Sequence, residues 1–251
     1  MTGMYEESAD IYDLLHAFRV EDIGFYVDLA RKKGSPALEL ACGTGRVLIP
    51  VARSGIRVTG IDITKSMLKV LGKKLGKESV DVRKNAEIVE GNMKDHQFGK
   101  RFRLVYLPYS SFFVMGSEED QDKCLKNAYD HLERGGTFAM DTFNFDPNWP
   151  QRVLLHENTV KTERGLVSKF SMTRREDDRQ IMHVQFIYDI VGNGRDLKRI
   201  VESFDLRYAL PGQMRRMLKN AGFGKIKMYG DFEKGKFTRD SRTMVFIAEK
   251  F

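Results

Sequence analysis

Leu38-Glu39-Leu40-Ala41-Cys42-Gly43-Thr44-Gly45-Arg46 reads as a short apolar strand that runs into a Gly-x-Gly turn, and the turn opens a helix. Glycines at such a turn permit positive φ and let a ligand approach the backbone closely. The free N–H groups of the helix start favour an anionic or electron-rich ligand group. Seventeen residues after Gly45, Asp62 closes the next strand-like run, 56–61. A carboxylate there can accept both hydroxyls of a ribose, so the two features together point to a nucleoside-containing cofactor. In a dinucleotide site of the G-x-G-x-x-G kind the third glycine lets helix and strand close on a pyrophosphate. Leu48 stands at that place, which counts against a nicotinamide dinucleotide. Pro50, inside the helix that follows, is expected to kink it.

Outward from this segment, strands and helices alternate. Residues 5–33 carry Ile11, Leu14, Leu15 and Phe18, then Ile23, Tyr26, Val27 and Ala30, at helical spacing, with Gly34 as a C-cap. Thr64 is placed to cap a helix lined by Met67, Leu68, Leu71 and Leu75. Strand-like runs recur at 86–89, 102–107 and 137–140, the last two separated by a helix around 120–132. From 152 to 208 the pattern changes to strict alternation, punctuated by Glu163-Arg164-Gly165, Glu176-Asp177-Asp178 and Gly192-Asn193-Gly194. That is an antiparallel β insert of about four strands. A helix at 211–221 and strands at 224–229 and 243–249 follow. The predicted fold is α/β: a Rossmann-like, doubly wound, mostly parallel seven-stranded sheet with an antiparallel β insert. Residues 1–150 and 206–251 would form the cofactor-binding domain, and 151–205 an acceptor-covering or dimerisation lobe.

The 251 residues are 41% hydrophobic and 31% charged, the balance of a globular chain. The net charge of +7 is spread among acidic residues, so a solvated surface is favoured over a nucleic-acid partner. No apolar run approaches the ~20 residues of a membrane span, and the first residues lack a secretory pattern. Two distant cysteines, Cys42 and Cys124, make neither a disulfide framework nor a metal site. A cytoplasmic setting without a bound metal is expected.

Five segments in order resemble the motifs of class I S-adenosylmethionine-dependent methyltransferases. They are Glu39-Leu-Ala-Cys-Gly-Thr-Gly45, Gly60-Ile-Asp-Ile-Thr-Lys-Ser-Met-Leu68, Glu90-Gly-Asn-Met-Lys-Asp95, Phe102-Arg-Leu-Val-Tyr-Leu-Pro-Tyr-Ser-Ser111 and Leu132-Glu-Arg-Gly-Gly-Thr-Phe138. The resemblance implies S-adenosylmethionine as cofactor and S-adenosylhomocysteine as product. It implies that the turn at Ala41, Gly43, Gly45 and Arg46 holds the methionine part, and that Asp62 takes the ribose hydroxyls. Ile63, Asn92 and Met93 would flank the adenine, and Leu107 would sit beside the reacting methyl. The family often has Asp where Asn92 stands. The segment Met4-Tyr5…Ala9-Asp-Ile-Tyr12-Asp13 is similar to the entry segment of small-molecule methyltransferases, including the amino-sugar N,N-dimethyltransferases, where a tyrosine at the place of Tyr12 closes over the methionine end. Arg19 is a candidate partner for the methionine carboxylate.

Methyl transfer needs alignment and exclusion of water more than an acid or base, and no catalytic triad is visible. Candidates for the acceptor pocket are Tyr109, Ser110 and Phe113 after the fourth strand, Asn144 after the fifth, and Tyr188 in the insert; His156 and His183 read as surface residues. Some relatives carry a base after the fourth strand where Phe113 stands here. The favoured function is methylation of a small-molecule acceptor at nitrogen or oxygen. The alternatives are an RNA or protein methyltransferase and a cofactor-binding protein without catalysis. A homodimer formed through the insert is a further alternative use of that lobe.

Overall fold

Residues 37–40 are buried at every position, as a strand covered on both faces must be. A computed structural model describes residues 5–163, 165–192, 194 and 196–251. Met4, Arg164 and Asn193, assigned above to the opening segment and to two turns, lie outside the described residues. Two helices, α1 (Ala9–His16) and α2 (Glu21–Lys33), precede β1 (Ala37–Leu40). There follow α3 (Leu48–Arg53), β2 (Val58–Asp62), α4 (Lys65–Leu75), α5 (Val80–Asn85), β3 (Ala86–Glu90) and β4 (Phe102–Leu107). A 3₁₀ turn (Ser111–Val114), α6 (Glu118–His131) and β5 (Leu132–Phe143) complete the first part. The insert contributes β6 (Leu155–Thr162), β7 (Gly165–Glu176), β8 (Ile181–Gly192) and β9 (Leu197–Arg207). The chain ends with α7 (Pro211–Asn220), β10 (Gly224–Tyr229) and β11 (Thr243–Glu249).

The seven-stranded sheet has the order β10-β11-β5-β4-β1-β2-β3, and the second sheet the order β6-β7-β8-β9. β1 pairs in parallel with both β2 and β4, while β11 runs antiparallel to β5 and to β10. The chain winds outward from β1 to β3 and then crosses back to β4. Between β1 and β4 the winding therefore reverses, and open α/β sheets bind ligands at the carboxyl ends of such strands. Alternation along β4 fills the cores on both faces: Val105 and Leu107 join one cluster with Leu40 and Phe112, Leu104 and Tyr106 the other with Leu48 and Val51.

Local differences from the sequence reading have local causes. α5 has no buried residue, so it carries no apolar period to detect. α6 begins at Glu118 because the Ser117 hydroxyl accepts from the Asp120 N–H, a cap lying before the apolar pattern. Pro50 is the third residue of α3, within its first turn, where proline is tolerated.

Leu48 is accommodated by a glycine on the neighbouring strand. A Cβ on Gly60 would lie 2.2 Å from Leu48 Cδ1 and 2.8 Å from Cys42 Sγ. The close approach of helix and sheet that a third turn glycine would provide is thus supplied from β2. Gly60→Ala should destabilise the protein by about 1–3 kcal/mol, the usual cost of overpacking. Denaturant unfolding would measure this, and adding Leu48→Val should recover part of the loss.

Candidate functional site

The turn after β1 and the end of β2 meet through one carboxylate. Ala41, Gly43 and Gly45 all have positive φ, at 54°, 52° and 80°. The two glycines differ in what they face. A Cβ on Gly43 would meet nothing within 4 Å, so this side of the turn is open. A Cβ on Gly45 would strike Leu71 Cδ1 at 2.4 Å, so Gly45 is required by packing against α4. Asp62 Oδ2 accepts from the Gly43 N–H at 2.8 Å and Oδ1 from the Thr64 N–H at 2.8 Å. The Thr64 hydroxyl and the Ile63 N–H act on the same carboxylate. Burial raises the Asp62 pKa, and the backbone donors oppose that shift. Ile63 beside it is 45% exposed, an apolar surface at the rim. Asn92 is half-buried, and its Oδ1 accepts from the Lys94 N–H at 3.1 Å, which shapes the loop after β3. Met93 packs against the core, and its carbonyl accepts from Asn127 Nδ2.

Arg46 is used on protein groups. Its guanidinium donates to both oxygens of Asp22, at 2.6 and 2.5 Å, and to the Arg19 carbonyl at 2.9 Å. It also lies 5.0 Å from the ring centroid of Tyr109. The Arg19 side chain is exposed and paired with Glu21. Tyr109 and Ser110 have φ of 61° and 55°, two consecutive non-glycine residues in the left-handed region. Such strain persists only where the surroundings impose it. Asp141 does so: its Oδ1 accepts from the Tyr109 N–H at 3.0 Å and from the Tyr26 hydroxyl at 2.7 Å. Burial pushes the Asp141 carboxyl up to about 6. Next to Tyr26, Tyr106 donates to Glu39 at 2.7 Å, and burial pushes Glu39 up to about 8.

α1 is fastened on two sides. Asp13 accepts from the Thr44 hydroxyl at 2.6 Å and from Lys74 at 2.7 Å, which ties the helix to the glycine turn and to α4. The Ser8 hydroxyl donates to Glu202 at 2.8 Å, and Asn158 Nδ2 donates to the Leu15 carbonyl at 3.0 Å, which tie it to the second sheet. Aromatic rings collect beneath this strap. Tyr12 stacks on His16 at 4.1 Å, and Tyr5 packs edge-on to Tyr12 at 4.9 Å. His16 meets Tyr109 edge-on at 5.8 Å, and Tyr5 stacks with Phe186 at 6.3 Å. Tyr188 adjoins Phe186 at 6.2 Å.

The structure shows what several further candidates contact. Leu107 ends β4 with its side chain wholly buried in the core. Phe113 is likewise a core residue, edge-on to Phe143 at 5.0 Å. Asn144 donates to the Arg239 and Ser241 carbonyls and so secures the loop before β11. The Ser110 hydroxyl accepts from the Phe143 N–H. His156 contacts Thr159, and His183 lies between Glu176 and Asp205, both outside the chamber. The histidine within it, His16, was not singled out in the sequence; its one signal is a place four residues after Tyr12 on the same helical face.

Residues 37–136 match the family described as a methyltransferase domain. Over 252 residues the chain is 26% identical to the cypemycin N-terminal methyltransferase of a Streptomyces species, covering 99% of this chain and 98% of that protein. It is 26% identical over 199 residues to the dTDP-3-amino-3,4,6-trideoxy-alpha-D-glucopyranose N,N-dimethyltransferase of Streptomyces venezuelae, 76% of this chain and 80% of that one. The fold matches that of the CcbJ methyltransferase from Streptomyces caelestis with a TM-score of 0.80 at 22% identity, over 92% of this chain and 96% of that chain.

Asp62→Ala should weaken S-adenosylmethionine binding by about 1–3 kcal/mol, the cost of removing a charged hydrogen-bond partner; calorimetry would measure it, and unchanged affinity would contradict the placement of the ribose. Glu39 titrates higher in the fold than in an unfolded chain, so its contribution to stability is greatest at acid pH and is lost as the pH rises through about 8. Glu39→Gln keeps an acceptor for Tyr106. Its melting temperature should gain steadily on that of the unmodified protein between pH 5 and pH 9.

Proposed function

We propose that this chain, an S-adenosylmethionine-dependent methyltransferase, places a methyl group on a nitrogen of a small-molecule acceptor held under α1. The observation that carries the reading is the strap itself: a helix bonded to the glycine turn on one side and to the insert on the other, with rings filling the space between. A chamber roofed in this way suits a small amine. Some basic residues of the surface, among them Arg53, Lys126 and Arg199, are paired with Glu78, Asp130 and Asp189. The relatives named above are, by name, N-methyltransferases of a peptide N-terminus and of an amino sugar.

The residues present fit the cofactor. The open side of Gly43 leaves room against the backbone, Asp62 is a carboxylate held in place at the end of β2, and Ile63 offers an apolar surface for a base. When bound, the cofactor supplies a methyl group activated by its sulfonium. The task of the chain is then to orient a neutral nitrogen and keep water out. His16 is suited to the orienting. A carbonyl can only accept, so the His16 Nδ1–H donates to the Tyr12 carbonyl at 2.8 Å and Nε2 is left as an acceptor. Burial, then the charge of Lys169, lowers the His16 pKa to about 4, so the ring is neutral at physiological pH. The same burial and the same positive neighbours, Lys169, Arg46 and Arg19, oppose an ammonium ion in the chamber. An acceptor amine gives its proton to solvent on entering, donates a remaining N–H to His16 Nε2, and directs its lone pair elsewhere.

The test is release of S-adenosylhomocysteine with a panel of amino sugars and peptide N-terminal amines, run beside total RNA. Transfer to a small amine is expected; transfer to RNA alone would overturn the reading. His16→Phe should lower kcat/KM by about ten- to a hundredfold, at the low end of proton-handling effects, with cofactor affinity unchanged. Full activity in that variant would remove His16 from the mechanism.

A further inference from the structure

The inward face of the second sheet carries polar groups that the chain itself leaves unsatisfied. On β7 the buried set is Val167, Lys169, Ser171 and Thr173, rather than the more apolar Leu166, Phe170 and Met172. Asn158 on β6, Lys169 on β7 and Tyr188 on β8 are direct cross-strand partners, so they stand in one row on one face. Val167, Tyr188 and Ile200 pack there against Leu15 of α1. Lys169 is only 7% exposed, and its ammonium has no hydrogen bond or ion pair among the described residues. The Phe186 ring lies 3.9 Å from Nζ. The carboxylates of Glu157 and Glu202 act on Lys169, but each is engaged elsewhere, Glu157 by Ser171 and Glu202 by Ser8.

Its neighbours in the row are similar. Asn158 gives its Nδ2 to the Leu15 carbonyl, which leaves Oδ1 buried with no partner. The Tyr188 hydroxyl is buried without a hydrogen-bond partner; the Ser8 hydroxyl acts on it but is itself directed to Glu202. A buried lysine is normally paired or reaches water, because an isolated buried charge is costly. Three adjacent groups left in this way describe the complement of a ligand.

We infer that this row recognises the acceptor: the Lys169 ammonium and the Tyr188 hydroxyl take an anionic group, a carboxylate or a phosphate, and Asn158 Oδ1 accepts from a hydroxyl or N–H adjacent to it. The inference rests on the small-amine reading above and narrows it to acceptors that carry a negative charge. The row adjoins the rings under α1: Lys169 lies over Phe186, on which Tyr5 stacks, and Tyr188 is edge-on to the same ring. An uncharged acceptor would leave all three groups without partners, and sites built from buried polar groups reject such analogues strongly.

The test uses the full chain saturated with S-adenosylhomocysteine and titrated by NMR with glycine, inorganic phosphate and glycinamide. Glycine or phosphate should bind, whichever matches the acceptor's anion, and glycinamide should bind at least tenfold more weakly. Lys169→Met should weaken the anion at least tenfold and Lys169→Arg by less than threefold, with S-adenosylhomocysteine affinity unchanged in both. If Lys169→Met does not fold, Tyr188→Phe serves instead and should weaken the anion threefold or more. Absence of binding by both anions, or equal binding by the variants, overturns the inference and leaves the methyltransferase reading standing. Failure of the unmodified chain to bind S-adenosylhomocysteine would remove that reading itself.

Discussion

The site is organised by the two bonds that the Asp62 carboxylate accepts from the backbone, one from Gly43 and one from Thr64. They join the turn leaving β1 to the start of α4, across the two central strands. With one oxygen on each loop, the carboxylate sets how far apart the loops stand. The open face of Gly43 and the exposed side chain of Ile63 then border a single space. The Gly45–Leu71 contact supports this from behind by seating the turn on α4.

On the other side of that space the charges are kept unequal. Arg46 is neutralised by Asp22 at contact distance, whereas Lys169 has no counter-ion so close. Asp141 and Glu39 lie just behind, and burial raises both toward their neutral forms. Burial and the charges of Lys169, Arg46 and Arg19 act together on His16. This accounts for a histidine held neutral beside two tyrosine rings, and it disfavours a protonated amine for the same reason. Environment takes over work that a dedicated base would otherwise do.

Much of the fold was legible in the sequence because its signals are local. Apolar period, the Gly-x-Gly turn and the acidic residue closing β2 are each marked within a few residues, and the mostly parallel seven-stranded sheet follows from the alternation around them. The chamber was less legible. Phe113 and Asn144 follow strand ends as pocket residues would, yet one fills the core and the other fastens a loop. His16 and Lys169 gave no motif, because their meaning comes from contacts with elements far away in the chain. In β7 the alternation could be read but its sense could not: the more polar set faces inward, toward α1.

The fit of Leu48 into the space over Gly60 links two positions twelve residues apart. Neither can vary alone without a clash or a void, so their substitutions are epistatic. A glycine at position 48 would remove the nearest contact that bars a side chain at position 60 and leave Cys42 as the other. Comparing turns by their own glycines alone overlooks that exchange, since the same clearance between helix and strand can be encoded on either partner.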